Sequence, residues 1–222
     1  MRRSDTERAR ARLVERHVKA RGITDERILA AMGSVKRERY VPAAMEAFAY
    51  DDHPLPIGEG QTISQPFIVA LMADAAQIVS GDRVLEVGAG SGYGAAVLAQ
   101  LAAEVWTIER LEPLAELARK NLERDGVENV HVVVGDGTLG WPVEAPFDAI
   151  VVTAGGPEVP HALLDQLAVG GRLVMPTGSD RHNQALIRVV RLHDQPLEDA
   201  FSEEELGLVR FVPLIGAQGW DH

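Results

Sequence analysis

The sequence predicts an α/β protein built on a mostly parallel sheet, with a helical extension ahead of it. Three observations carry that expectation. From Asp82 onward the chain repeats a strand–turn–helix rhythm. Its strands are continuous β-branched runs without polar alternation, as in sheets covered by helices on both faces. A glycine-rich turn links the first of these strands to a helix, at the place where open α/β sheets bind ligands.

Residues 1–57 read as a helical N-terminal extension. In "TDERILAAMGSV", Thr24 is the expected cap, Asp25 and Glu26 suit the positive helix start, and Ile28, Leu29 and Met32 make a core-facing side. Pro54 and Pro56 then break the pattern. Residues 58–80 form a separate loop and helix, "EGQTISQPFIVALM" at its centre. Ile68, Leu71, Met72 and Ala75 fall at i, i+3, i+4 and i+7, a helical stripe. Pro66 suits the first helical position and makes Gln65 the cap. Ser64 therefore stands one residue too early to cap, and its hydroxyl is left for another purpose.

Residues 81–222 form the core. "RVLEVG", "EVWTIE", "VHVVVGD", "FDAIVVTA" and "GRLVMPTG" read as five strands in succession. Between them "GYGAAVLAQLA", "LEPLAELARKNLERDG" and "HALLDQLAVGG" read as helices, the second closed by Gly126. "QALIRVVRLH" and "LVRFVPL" are the closing strands, with no helix between them. The simplest organisation is one domain over residues 1–222.

Composition narrows the function. Charged residues make up 25% and hydrophobic residues 46%, ordinary for a globular protein, and no apolar run approaches the roughly 18 residues of a membrane span. No apolar signal core follows the basic start Met1-Arg2-Arg3-Ser4-Asp5, and there is no cysteine, so a cytoplasmic protein is expected. Disulfides, thiolate zinc sites and cysteine nucleophiles are excluded. A net charge of −11 disfavours nucleic acid as a partner. The basic cluster from Arg2 to Arg21 is interleaved with acids and reads as a solvated face. The seven histidines have no metal-like spacing and read as structural or surface residues.

In "VLEVGAGSGYG", Gly88, Gly90 and Gly92 follow Glu86. The dinucleotide pattern G-x-G-x-x-G is absent, because Tyr93 stands three residues after Gly90, and no Walker lysine follows. A nicotinamide oxidoreductase is thereby disfavoured. Glu109 ends the next strand, 21 residues after Gly88, where a carboxylate can accept both hydroxyls of a ribose. Asp136 ends the third strand. Together they place an adenosyl ligand without a pyrophosphate at the carboxyl edge of the sheet.

With these residues the chain resembles the class I S-adenosylmethionine-dependent methyltransferases and, more narrowly, the protein-L-isoaspartate O-methyltransferases. The resemblance runs from about Arg8 through Trp220 and is most specific in "IGEGQTISQP", "VGDGTLGWPVEAPFDAIVVTAG" and "FVPL". It implies a doubly wound, mostly parallel seven-stranded sheet of Rossmann-like type. It implies S-adenosyl-L-methionine as methyl donor, S-adenosyl-L-homocysteine as product and no metal. The substrates would be isoaspartyl-containing proteins and peptides, methylated on the free α-carboxylate to begin repair, by a monomer with neither nucleic acid nor membrane as partner. Carried over by position, Glu86, Gly88, Gly90 and Gly92 border the methionine moiety. Glu109, followed by Arg110, takes the ribose, and Asp136 with Gly137 takes the adenine. Ser64 matches the active-site serine, and with Thr62 and Ile63 of the same loop it lies beside the cofactor.

Two departures stand out. Thr153-Ala154-Gly155-Gly156 replaces the family's frequent alanine run and is expected to loosen that loop. The residues Ile215 to Gln218 match no known contact and are left without a role. Transfer to a carboxylate needs no general base, since that nucleophile is already ionised near neutrality. The alternative is a class I methyltransferase acting on another carboxylate or a small molecule, because fold alone does not fix function. A non-catalytic adenosyl-binding protein would be expected to lose the glycine turn or Glu109, and both are present.

Overall fold

A computed structural model describes residues 3–181, 183–194 and 200–221. Of the residues singled out above, Met1, Arg2, His182 and His222 lie outside them.

Seven strands form one sheet in the order β5-β4-β3-β6-β7-β8-β9. They are β3 (Arg83–Val87), β4 (Glu104–Glu109), β5 (Val130–Val134), β6 (Phe147–Val152), β7 (Leu167–Thr177), β8 (Gln184–Arg191) and β9 (Phe201–Val209). The β3–β4, β4–β5, β3–β6 and β6–β7 pairs are parallel, while β8 is antiparallel to both neighbours. Succession runs outward from β3 through β4 to β5, then returns to the other side of β3 with β6. The order reverses between β3 and β6, so their carboxyl ends splay apart into a crevice. This is the doubly wound sheet expected of a class I methyltransferase.

Helices cover both faces. Buried residues of the N-terminal extension (Val18, Ile28, Met32) share one apolar cluster with Ala70 and Met72 of α3 (Pro66–Ala75), Val97 of α4 (Tyr93–Leu98) and Val84 and Val105 of the sheet. Leu85, Ile108, Ile150 and Leu173 point the other way and pack with Phe147, Leu163 and Met175. Alternate residues of one strand thus feed two cores, which is why these strands read as unbroken apolar runs.

The extension contains α1 (Arg3–Leu13) and α2 (Glu26–Ser34) with short 3-10 and π turns. Asp25, not Thr24, caps α2, its carboxylate accepting from the Arg27 N–H at 2.8 Å. A hairpin of β1 (Leu55–Gly58) and β2 (Gln61–Ile63) was not expected from the sequence. Its strands are three or four residues long and carry Pro56, which edge strands tolerate. In α3 the burial centres on Ala70, Met72 and Ala73, with Ile68 and Leu71 half-buried against the same core. The helix α6 is only His161–Asp165, because Leu167 already pairs with Phe147 in the sheet. The last strand begins earlier than the sequence indicates, at Phe201, and ends at Val209, so "FVPL" lies outside it.

Candidate active site

After β3 the backbone bends toward β4. The N–H groups of Gly88 and Ala89 both donate to the Ile108 carbonyl, at 2.8 and 3.3 Å. Gly88 has φ +102, and a Cβ there would stand 2.3 Å from Thr153 Oγ1, so another residue would be strained and would displace the Thr153 hydroxyl. The Thr153 hydroxyl sits 2.9 Å from the Gly88 carbonyl, and the Thr153 N–H donates to Val87 O at 2.9 Å. Glu86 points into the interior, fully buried, and accepts from Thr107 Oγ1 at 2.5 Å. Burial pushes its carboxyl up to about 8, against the Thr107 hydrogen bond and with help from the nearby Glu109 charge.

Glu109 closes the turn from the opposite side. Its Oε2 accepts from Gly90 N–H at 2.9 Å and its Oε1 from Leu111 N–H at 3.0 Å. Each oxygen keeps a second lone pair, which two vicinal hydroxyls of a ribose could occupy.

Thr62, Ile63, Ser64, Glu86, Gly88, Gly90, Glu109, Arg110 and Gly137 line one cavity at this edge of the sheet. Two residues of the sequence-derived set stand behind its wall. Gly92 (φ +88) starts α4, and a Cβ there would press on the Ala118 backbone at 3.3 Å, so it lets the turn pack on α5 (Glu112–Arg124). Asp136 turns away and spends its carboxylate on the chain, accepting from Thr138 N–H and Oγ1 at 2.9 and 2.7 Å and from Ala217 N–H at 2.7 Å.

The hairpin β1–β2 presents the serine. Its turn residues Glu59 and Gly60 have φ +51 and +70, and β2 delivers exposed Thr62, buried Ile63 and half-buried Ser64 to the cavity. Gln65 is the N-cap residue of α3 and Pro66 its first residue, with no side-chain cap from Gln65. Asp52 caps the helix instead, its Oδ1 accepting from Phe67 N–H at 3.0 Å. The Ser64 hydroxyl has no hydrogen-bond partner among the described residues, whereas its carbonyl accepts from Arg37 Nη1 at 2.8 Å.

The C-terminal segment completes the wall with Val212, Pro213, Leu214 and Ile215. The loop after β6 is tied down, contrary to the looseness its glycines imply. Gly155 N–H donates to Val212 O, Leu214 N–H to Gly155 O and Gly156 N–H to Pro176 O, while Trp220 Nε1 donates to Gly155 O. Those hydrogen bonds are made by segments far apart in sequence, which a local reading of Gly155-Gly156 cannot reveal.

An adenosyl ligand fits this lining. Ser91 Oγ is buried in the cavity wall without a partner, an unspent donor and acceptor beside the glycine turn. The sequence reading missed it, along with Thr153 and Arg37; only its place inside the glycine motif marks Ser91. No group of three or more histidine, aspartate or glutamate side chains among the described residues is arranged to hold a metal ion.

The profile of the family described as "Protein-L-isoaspartate(D-aspartate) O-methyltransferase" matches residues 8–219. The chain is 55% identical over 210 residues to a protein-L-isoaspartate O-methyltransferase of Protochlamydia amoebophila, covering 94% of this chain and 97% of that one. It is 56% identical over 213 residues to the enzyme of that name from Methanoculleus marisnigri, covering 96% and 94%. A solved protein-L-isoaspartate O-methyltransferase superposes with a TM-score of 0.81 at 32% identity, over 95% of this chain and 67% of that chain. A putative one from Plasmodium falciparum, in complex with S-adenosyl-L-homocysteine, gives 0.77 at 27% identity, over 93% and 98%.

Proposed function

The chain belongs to the protein-L-isoaspartate(D-aspartate) O-methyltransferase family, and we propose a division of labour among its residues for methylating the free α-carboxylate of L-isoaspartyl residues. S-adenosylmethionine, when bound, supplies a methyl group on a positively charged sulfur. Glu109 would hold the ribose hydroxyls and, with Arg110, mark the adenosyl end. Gly137 would border the adenine, with Asp136 bracing it from behind. Glu86, Gly88, Gly90 and the unpartnered Ser91 hydroxyl would border the methionine end, with Gly92 setting the turn. Thr62 and Ile63 form the opposite wall.

The observation that carries the assignment is the Ser64 hydroxyl. Ser64 lines the same cavity as the glycine turn and Glu109, and its hydroxyl is spent on no bond to the described residues. Displacement at a methyl carbon requires the attacking oxygen, carbon and sulfur in line, and alignment of this kind is worth roughly 7–11 kcal/mol at best. A neutral hydroxyl can donate to one carboxylate oxygen and leave the other nucleophilic. A lysine would pair with the charge and blunt it. Ser64 therefore orients the isoaspartyl carboxylate without taking a proton, in keeping with a site that offers no histidine.

Three further assignments belong to the same proposal. Residues 1–57 and 58–80 act with the core 81–222 as one functional unit. The enzyme works as a monomer and acts on proteins rather than on nucleic acid or membranes, the last in keeping with its charge of −11. No described helix is long and apolar enough to cross a membrane. A cytoplasmic setting suits a chain without cysteine.

Replacing Ser64 by alanine tests the role. A hydrogen bond to a charged group is worth about 1.5–3 kcal/mol, so kcat on an isoaspartyl peptide should fall about tenfold to a hundredfold, with S-adenosylhomocysteine affinity unchanged by calorimetry. Unchanged kcat would remove Ser64 from the mechanism.

A further inference from the structure

Arg37 is fully buried, close behind the wall that carries Ser64. A guanidinium is charged at every working pH, and its burial is tolerated only when its donors are taken. Here they are taken by main-chain carbonyls rather than by a carboxylate. Nε donates to Ala49 O at 2.9 Å, Nη1 to Ser64 O at 2.8 Å and Nη2 to His53 O at 3.3 Å. The cation also lies 5.1 Å from the centroid of the Tyr93 ring, in the first turn of α4. One planar fork thus joins the segment entering the hairpin, the serine loop and the helix that follows the glycine turn.

The next residues are held from a different direction. Asp52 accepts from Phe67 N–H and, through Oδ2, from Gln65 Nε2 at 2.8 Å and Arg21 Nη1 at 3.1 Å. Arg37 thus holds the Ser64 carbonyl, and Asp52 holds the Gln65 side chain and the Phe67 N–H just beyond it. Pinning the Ser64 carbonyl restricts the backbone from which the Ser64 side chain leaves, at a residue that lines the cavity. Helix capping needs none of this, because Asp52 already supplies the cap.

We propose that Arg37 is a positioning residue for methyl transfer, holding the Ser64 carbonyl so that the Ser64 hydroxyl meets the substrate carboxylate. The proposal rests on the role given to Ser64 above. An arginine that merely held the fold together would affect every function of the site. One that acts through Ser64 loses its effect once the hydroxyl is gone.

The experiment is a double-mutant cycle with Arg37→Lys and Arg37→Gln, each alone and combined with Ser64→Ala. It reads kcat and KM for an isoaspartyl peptide, and S-adenosylhomocysteine affinity by calorimetry. Arg37→Lys keeps the charge but loses the fork, so it carries the test if Arg37→Gln does not fold. The expected result is a fall in kcat of about tenfold in the single arginine variants, with cofactor-product affinity held within about twofold. In the Ser64→Ala background the same arginine change should cost less than about twofold more. Losses that multiply, or affinity that falls in step with kcat, would overturn the proposal while leaving Ser64 in place. Full kcat in Ser64→Ala alone would overturn both roles, and methylation by the wild type would still stand.

Discussion

At the scale of single residues, Glu86 is where burial and charge conflict most sharply. Its carboxyl titrates near 8 in the folded protein against an ordinary value of 4.5. Between those values the folded chain keeps a proton that the unfolded chain has released. Stability from this group is therefore complete below about pH 4.5 and is lost as pH rises through about 8. Glu86→Gln keeps the shape and the acceptor for Thr107 but cannot ionise. The thermal midpoint of Glu86→Gln minus that of the wild type should widen in the variant's favour from pH 5 to pH 8.5. A constant difference would mean that Glu86 is ionised throughout. The sequence placed Glu86 beside the glycine turn but could not foretell its protonation, which comes from burial in the fold, aided by the Glu109 charge and opposed by the Thr107 hydrogen bond. Ser64 stood out for a local reason, because Pro66 fixes the helix start and leaves a serine two residues earlier with no capping duty, while its place in the site came from the family resemblance. Arg37 was not, since its carbonyl partners lie 12 to 27 positions further along the chain.

Among the elements, the C-terminal segment behaves as a strap fastened by Asp136. Burial would raise that carboxyl, but hydrogen bonds from Ala217 and from the hydroxyl and N–H of Thr138 outweigh it and hold it below its ordinary 3.8. Its contribution is present above about pH 4 and disappears as pH falls through the lowered value. Asp136→Asn turns one acceptor into an N–H₂ facing another donor. It should cost about 1–3 kcal/mol at pH 7 by denaturant titration and speed amide exchange at residues 215–220. Unchanged exchange there would show that the hydrogen bonds of Leu214 and Trp220 to Gly155 hold the strap without Asp136. The long apolar strands β3, β4, β6 and β7 were legible because each is buried on both faces. The edge strand β9 was misplaced because "FSEEELGLV" carries three consecutive exposed acids, and only pairing with β8 makes it a strand. The hairpin β1–β2 was hidden by its prolines and its length.

For the whole molecule, sheet order decides where chemistry happens. The reversal between β3 and β6 opens the crevice, and the hairpin from the preceding segment closes it with Ser64. The doubly wound core follows from motifs at strand ends, and nine of the eleven positions implied by the family resemblance line the cavity wall. Gly92 and Asp136 proved to be one step behind it, because a motif gives proximity along the chain and not the direction of a side chain. The net charge of −11 opposes an anionic substrate at long range, but screening confines this to about 8 Å at physiological salt, so recognition has to be local. The most direct measurement supplies labelled S-adenosylmethionine with two peptides that differ only in an L-isoaspartyl or an L-aspartyl linkage at one position. Base-labile label should enter the isoaspartyl peptide alone. Equal labelling of both peptides, or of neither while S-adenosylhomocysteine still binds, would contradict the account.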